Sequence, residues 1–119
     1  MTGLVIRPLA ASDEAEWRRL WTAYLVFYET ERPEAVYASS FARMLSGAPN
    51  EYRGLIALLD GRPVGLAHYL FHRTNWEIGD TCYLQDLYAD PDVRGTGVGR
   101  ALIEAVYAAA DSHGAASVY

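Results

Sequence analysis

The chain has 119 residues, a length that fits one domain and leaves no room for a second sizeable core. Hydrophobic residues make up 51% of it and charged residues 21%, so its composition is that of a folded domain, and a disordered chain is excluded. Its ten basic residues are all arginine and face 15 acidic residues, for a formal net charge of −5. A field of that sign repels phosphate backbones and attracts cationic amines, so nucleic acid is a poor candidate partner.

Membrane, export and metal signals are also missing from the sequence. No apolar run approaches the roughly 20 residues that span a bilayer, and residues 1–8 lack a basic region followed by an apolar stretch. We therefore expect a soluble, cytoplasmic protein with no membrane partner. Cys82 is the only cysteine and lies in an apolar run, which favours a small buried side chain. With no clustered His, Asp or Glu, no metal is expected.

The first half of the chain predicts a short strand and two helices. The strand is expected over 4–7 and ends at Pro8, after which Ser12 or Asp13 can cap a helix. One apolar face of that helix follows at spacings of three and four: Trp17, Leu20, Trp21, Tyr24, Leu25 and Tyr28. After Pro33, residues 35–45 can form a second helix. Its expected inward side chains are Val36, Phe41, Met44 and Leu45.

The second half predicts three strands, a helix and the start of a last strand. Asp60-Gly61 between the apolar runs 54–59 and 64–71 is a hairpin signal, because such a turn needs positive φ. A third strand is expected over 81–88, and a helix over 98–113 that ends at Gly114. The apolar stripe expected on that helix is Leu102, Ile103, Val106, Tyr107 and Ala110. With a last strand over 116–119, the order β-α-α-β-β-β-α-β predicts an α/β or α+β sandwich with a mixed sheet.

The glycine-rich segment after the third long strand is the most informative one. Its glycines leave backbone N–H groups open, and the following helix start adds partial positive charge, so the segment predicts a pyrophosphate site. Arg94 and Arg100 flank it. A Walker A loop needs lysine, which the chain lacks, and the dinucleotide fingerprint would need glycine at position 100 or 102. The glycines could otherwise serve only a tight turn between strand and helix.

The sequence Arg94-Gly95-Thr96-Gly97-Val98-Gly99 matches the pattern Gln/Arg-x-x-Gly-x-Gly/Ala. It resembles the acyl-CoA pyrophosphate loop of the GNAT (GCN5-related) N-acetyltransferases. Residues 4–9 resemble the first strand of that family, and residues 60–65 its "dG-x-xVG" hairpin. Residues 83–88 with Asp90-Pro91 look like the "YLeDLyV-xPxxRGxGxG" stretch of its polyamine-acetylating branch. The resemblance implies one GNAT domain over 1–119, with a mostly antiparallel sheet flanked by helices.

Acetyl-CoA is the cosubstrate that the resemblance implies. The pyrophosphate would bind the backbone N–H groups of 95–101, and the pantetheine arm would pair with the backbone of 87–89 like a short extra strand. An N–H exposed where that strand splays from its neighbour would serve as the oxyanion hole. The implied cofactor-binding residues are Leu87, Tyr88, Ala89, Arg94, Gly95, Thr96, Gly97, Val98, Gly99, Arg100 and Ala101.

The resemblance implies direct transfer of an acetyl group to a primary amine of a small molecule, with diamines or polyamines favoured. The amine must lose a proton, and Asp86 lies at the strand position where similar proteins bind ammonium groups. Glu29, with Glu31, could line the acceptor entrance, or both could be solvated charges at a helix end. His68 and His72 share a strand face and are interpreted as packing or hydrogen-bonded residues, with a catalytic base as the alternative. A homodimer is compatible with the resemblance.

Two departures from the family pattern affect these expectations. The usual general acid is a tyrosine on a helix after the next strand, beyond Tyr119, so the domain is expected to be C-terminally incomplete and to lack the final helix and strands. Gln85 stands where polyamine enzymes often carry Glu. The alternative to an enzyme is a non-catalytic CoA-binding module, or one that self-associates through an open sheet edge.

Overall fold

The computed structural model describes residues 3–119, so Met1 and Thr2 of the predicted domain lie outside it. Within that range the strands form one antiparallel sheet in the order β1-β2-β3-β4. The strands are β1 (Leu4–Pro8), β2 (Arg53–Leu59), β3 (Arg62–His72) and β4 (Thr81–Ala89). The helices are α1 (Glu14–Phe27), α2 (Glu34–Leu45) and α3 (Val98–His113), with short 3-10 turns at Ala11–Asp13 and Pro91–Val93. The predicted α/β class and element order are confirmed through α3.

The predicted last strand is present as a short parallel pairing beside β4. Val118 forms a single parallel bridge with Cys82. The Cys82 N–H donates to the Ser117 carbonyl and the Leu84 N–H to the Tyr119 carbonyl, both at 2.8 Å. The predicted strand over 116–119 is thus reduced to one parallel bridge beside four antiparallel strands, and the sheet is mostly antiparallel, as predicted.

The helices cover both faces of the sheet. On one face, Leu102, Val106 and Ala110 of α3 pack against strand side chains, which include the buried Cys82 of β4. On the other face, α1 and α2 pack against Ile56 of β2, Leu66 of β3 and Tyr88 of β4, through Trp17, Leu20, Phe41 and Met44. Because the middle strands are buried on both sides, they read in the sequence as continuous apolar runs. No helix in the described part of the chain is long and apolar enough to cross a membrane.

The β2–β3 hairpin forms as its sequence predicts. Asp60 and Gly61 both have positive φ, 51° and 82°, which is the geometry of the tight turn that matches strand twist. Farther along β3, Gly65 is needed for close packing. A Cβ there would lie 2.7 Å from the Tyr88 carbonyl oxygen and 3.2 Å from the Leu102 side chain. Glycine at this position lets β3 lie against both β4 and α3.

Four apolar side chains that were expected to face inward are exposed at the edges of their helices. Tyr28 is 61% exposed because α1 ends at Phe27 and the chain turns away at Glu29, which has a φ of 56°. Val36 and Leu45 lie near the two ends of α2, and each is 37% exposed. Tyr107 of α3 is 52% exposed beside the buried stripe. The buried side of each helix is thus narrower than the apolar face that its sequence predicts.

The predicted side-chain cap at the start of α1 is not formed. Neither Ser12 nor Asp13 makes a side-chain cap to α1. The buried Asp13 carboxylate instead accepts hydrogen bonds from both terminal nitrogens of Arg7, at 2.7 and 2.9 Å, and from the Ala10 backbone N–H at 2.7 Å. The hydrogen bond from Arg7 is the main cause that lowers the pKa of Asp13 below its ordinary value. This pair fixes β1 to the start of α1.

We expect Asp13→Asn to lower the free energy of unfolding by about 1–3 kcal/mol at pH 7, because the charge-assisted bonds to Arg7 are weakened. The folded-state pKa is below the unfolded value of about 3.9, so the stabilisation is complete above that pH and is lost as the pH falls through the folded-state pKa. Urea unfolding at pH 7 and near pH 3 should show that the difference in free energy of unfolding between the variant and the wild type becomes smaller in acid. The control variant Asp111→Asn makes the same chemical change at an exposed position, and its free energy of unfolding at pH 7 should equal that of the wild type. A difference between Asp13→Asn and the wild type that stays constant with pH would contradict the prediction.

Candidate active site

An extra residue in β4 turns two consecutive side chains to the same side of the sheet. His68 pairs with Asp86, but the next residue of β3, Tyr69, pairs with Leu84, so Gln85 is left over as a bulge. Both Gln85 and Asp86 line a cavity beneath α1 and α2. Leu84 and Leu87, on either side of them, pack on the α3 face. A bulge of this kind re-aims side chains, and here it directs an amide and a carboxylate into one cavity.

This cavity, called here the Asp86 cavity, has a volume of about 210 Å³. It lies between α1, α2 and the strands, and it is lined by Trp21, Ser40, Arg43, Met44, Tyr52, His68, Gln85 and Asp86. Asp86 is buried in its wall, whereas Arg43 is exposed in the last turn of α2. The cavity therefore joins a buried anion to a cation at its edge.

Asp86 is held by a chain of buried hydrogen bonds that ends in the core. The Trp17 indole N–H lies 3.0 Å from His68 Nε2, and His68 Nδ1 lies 3.0 Å from the Asp86 carboxylate. Because an indole N–H can only donate, Nε2 is the acceptor and the imidazole proton belongs on Nδ1, which donates to Asp86. Both ring nitrogens of His68 are thus engaged and the ring is neutral. The interpretation of His68 as a hydrogen-bonded residue is confirmed. His72 lies at the end of β3, where its Nε2 is 2.8 Å from the Tyr119 hydroxyl.

A second cavity, called here the β4 cleft, runs along the C-terminal half of β4. It measures about 220 Å³ and is lined by Tyr24, Phe27, Tyr28, Leu87, Tyr88, Ala89, Arg94 and Gly99. Tyr24 connects the two spaces, since its ring stacks on Trp21 of the Asp86 cavity, with centroids 4.9 Å apart. Burial and the Asp86 carboxylate raise the pKa of Tyr24, so its hydroxyl stays protonated at neutral pH. Asp86, which lines one cavity, and Leu87, which lines the other, are consecutive residues of β4.

The glycine-rich loop lies between the β4 cleft and α3. Gly95 and Gly97 have φ values of 82° and 97°, which side chains other than glycine rarely adopt. A Cβ added at Gly95, Gly97 or Gly99 would meet no atom within 4 Å, so the surface above them is open. The Ala101 N–H donates to the Gly97 carbonyl at 2.9 Å, which leaves the N–H groups of 98–100 without acceptors inside the helix. This arrangement fits a bound anion such as a pyrophosphate.

The polar side chains around this loop have different positions. Arg94 lies in the β4 cleft, where its Nε donates to the Ala89 carbonyl at 3.0 Å and its guanidinium lies over the Phe27 and Tyr88 rings. Arg100 is on the outer surface of α3, in an ion pair with Glu104. The Thr96 hydroxyl donates to the Val93 carbonyl. Of the two flanking arginines, Arg94 is the one that the structure brings into the cleft.

Glu29 and Glu31 lie apart from Asp86. Both are exposed after the end of α1, on an open surface groove formed with Val26 and Thr30. Neither lines the Asp86 cavity or the β4 cleft. The structure therefore places Asp86 inside a cavity and Glu29 at the surface beyond α1. In the part of the chain that is described, no three His, Cys, Asp or Glu side chains group as a metal site would require.

Sequence reasoning missed several residues of the Asp86 cavity. Ser40, Arg43 and Tyr52 were not singled out, and Trp21 was assigned only to the apolar face of the first helix, as was Tyr24 of the β4 cleft. The aromatic face of α1 was the available signal, because the helix and the residue after it carry five aromatic rings, of which only the first is fully buried: Trp17, Trp21, Tyr24, Phe27 and Tyr28. Arg43 carried no such signal, since an arginine on the polar face of a helix is ordinary.

Comparison with known proteins identifies the family of this chain. Residues 15–119 match the acetyltransferase (GNAT) family. The D-amino-acid N-acetyltransferase HPA3 of Saccharomyces cerevisiae is 37% identical over 117 residues, which cover 98% of this chain and 73% of that protein. The chain belongs to the GNAT family and is an acyltransferase of the N-acetyltransferase type. The family resemblance found in the sequence is thereby confirmed, and the family's acyl donor is acetyl-CoA.

Solved structures show the same fold. The aminoglycoside acetyltransferase AAC(6')-Iy, in complex with a bisubstrate analogue of CoA and acetylneamine, superimposes with a TM-score of 0.84 at 21% identity, covering 98% of this chain and 77% of that one. An acetyltransferase of Trypanosoma brucei gives a TM-score of 0.75 at 25% identity, covering 98% and 80%. The sandwich described above is therefore the GNAT fold.

Proposed function

We propose that this protein transfers the acetyl group of acetyl-CoA to a primary amine of a small molecule, by direct attack while both substrates are bound. The observation that carries the proposal is that consecutive residues of β4 line the two cavities, Asp86 the Asp86 cavity and Leu87 the β4 cleft. An amine held by Asp86 would then be next to a thioester held along 87–89.

The acyl donor would bind in the β4 cleft and over the glycine-rich loop. The pyrophosphate would be held by the backbone N–H groups of the loop and of the first turn of α3: Gly95, Thr96, Gly97, Val98, Gly99, Arg100 and Ala101. The support is the open surface above the three glycines and the unsatisfied start of α3. Arg94 would line the path between loop and thioester. The backbone of Leu87, Tyr88 and Ala89 would lie along the pantetheine arm, with one N–H toward the thioester oxygen.

Asp86 would bind the acceptor's ammonium group and take its proton. In the reaction the amine nitrogen forms a bond to the thioester carbon and the C–S bond breaks. The ammonium group loses two protons in all: the one taken by Asp86 before the attack passes on to solvent, and the one lost from the attacking nitrogen is balanced by the proton gained when CoA leaves as a thiol. His68 would keep Asp86 oriented, since its Nδ1–H is directed at the carboxylate and its Nε2 is occupied by Trp17. Glu29 would act outside this cavity, as a charge on the approach to it.

The size of the Asp86 cavity supports a small acceptor. About 210 Å³ is below the roughly 300–1,000 Å³ of pockets that enclose drug-sized ligands. Diamines and polyamines, favoured by the negative net charge, are one class within that limit. The acceptors named for the yeast relative, D-amino acids, are another. A cytoplasmic location and a homodimer stay predictions from the sequence.

The test is release of free thiol from acetyl-CoA in the presence of a panel of small amines, with the N-acetyl product identified by mass spectrometry. We expect thiol release that depends on both the amine and the protein, and a rise in melting temperature with acetyl-CoA alone, since a ligand that binds only the folded state stabilises it. No product with any amine, together with no thermal shift at millimolar acetyl-CoA, would overturn the proposal.

A further inference from the structure

We propose that Arg43 binds a carboxylate of the acceptor, so that the acceptor is an amino acid rather than a diamine or polyamine. The inference rests on the proposed function, because it defines the acceptor class of the same cavity. Arg43 lies in the last turn of α2, and both it and Asp86 line the Asp86 cavity. A molecule bound there would meet a cation and an anion in one space of about 210 Å³.

Arg43 differs from the other arginines near the site because its guanidinium is uncommitted. Arg19 pairs with Asp90 at 3.1 Å, and Arg94 is held by a carbonyl and two rings. None of the ion pairs or cation–π contacts within residues 3–119 involves Arg43. Its charge is therefore available to a ligand in the cavity.

The charge balance of the cavity favours a zwitterion. His68 is neutral, because Trp17 donates to one ring nitrogen and the other donates to Asp86. The formal charges on the cavity wall are then the negative Asp86 and the positive Arg43. An amino acid would bring its ammonium group to Asp86 and its carboxylate to Arg43. A diamine would bring a second cation into the space that Arg43 lines, and such a like-charge contact is unfavourable.

Other polar groups of the wall can donate hydrogen bonds to an anionic group on the ligand. Ser40 lies one turn before Arg43 on the same side of α2, so that its hydroxyl can share a carboxylate with the guanidinium. Burial is the main cause that raises the pKa of Tyr52, so its phenol stays a donor. Trp21 also lines the cavity, and its indole N–H has no acceptor in the described chain. Among the described residues that line this cavity, Asp86 is the only one with a carboxylate.

The experiment compares acceptors that differ in one charged group. Thiol release from acetyl-CoA is measured with D- and L-alanine, with the two alaninamides and with 1,3-diaminopropane, on the wild type, Arg43→Gln, Arg43→Lys and Arg73→Gln. Arg73 is the matched control, because it is an exposed arginine that lines none of the cavities described above. Acetyl-CoA-induced thermal shifts on each variant monitor folding and donor binding.

We expect the wild type to use at least one alanine enantiomer with a kcat/KM about tenfold or more above that of the matching amide. Arg43→Gln should lower kcat/KM for alanine by about tenfold, mostly through KM, and leave the amide within about twofold, because it removes binding and not chemistry. Arg43→Lys should retain part of the preference, and Arg73→Gln all of it. Equal use of acid and amide by the wild type, or an equal loss for both in Arg43→Gln, would overturn the inference while the proposed function stands. No turnover with any acceptor would instead overturn the proposed function, and this inference with it.

Discussion

Replacing Asp86 by asparagine is expected to lower kcat/KM for the acceptor by about 100-fold or more. Positioned proton acceptors contribute roughly 10²–10⁴-fold to enzymatic rates, and the change also removes the charge that would hold an ammonium group. The amide oxygen can still accept the hydrogen bond from His68 Nδ1, so the buried chain from Trp17 to residue 86 is retained. The measurement is the steady-state rate of thiol release with the preferred acceptor.

Two comparisons make the Asp86→Asn result interpretable. The acetyl-CoA-induced rise in melting temperature should be unchanged, because residue 86 lines the Asp86 cavity and not the β4 cleft. Asp111→Asn makes the same chemical change on the exposed side of α3 and should leave activity at the wild-type level. If Asp86→Asn keeps activity within a few-fold of wild type while both controls behave as expected, Asp86 is not the residue that binds and deprotonates the amine.

The second large effect is expected from Gly99→Glu, which should weaken acetyl-CoA binding by about 100-fold or more, equivalent to about 2.7 kcal/mol. Gly99 lines the β4 cleft beside the proposed pyrophosphate site, where a carboxylate would repel a phosphate. Gly99 has helical backbone geometry, and a Cβ there meets no protein atom within 4 Å, so the variant should fold. A change at Gly97 would be less informative, because its φ of 97° would add backbone strain.

The measurement for Gly99→Glu is the melting temperature with increasing acetyl-CoA, supported by calorimetric titration. Gly99→Gln has nearly the same size without the charge, and it should keep a clear part of the thermal shift. Gly99→Ala should bind acetyl-CoA and melt at or above the wild-type temperature, because alanine favours helix over glycine by up to about 1 kcal/mol. A wild-type thermal shift in Gly99→Glu would exclude the loop as the pyrophosphate site.

Local backbone chemistry made the fold and the proposed acetyl-CoA-binding side of the site predictable. Asp60-Gly61 predicted a hairpin because so few residues tolerate positive φ, and the same reason applies at Gly95 and Gly97. The apolar stripe of α3 predicted its buried face, and Gly114 its end, because both depend on residues within a few positions of each other. Such local features depend little on contacts with distant segments of the chain.

The acceptor side could not be predicted to the same extent because it depends on contacts between distant segments. Strict alternation along β4 would put Gln85 and Asp86 on opposite faces, and only the pairing with β3 shows the bulge that puts both in one cavity. Arg43 belongs to the site because α2 packs over β2, at a sequence distance of more than 40 residues from Asp86. Asp13 was expected to cap α1, but the nearby Arg7 on β1 competes successfully for its carboxylate.

The bulge at Gln85 also bears on how this site can change. Removing that one residue would restore regular pairing between β3 and β4 and would leave Leu84 on the α3 face and Asp86 in the cavity, because consecutive strand residues point to opposite faces. Substitutions at position 85, by contrast, alter a cavity-lining side chain that is exposed and outside the ladder. The bulge therefore lets the side chain at position 85 vary while Asp86 keeps its place in the cavity.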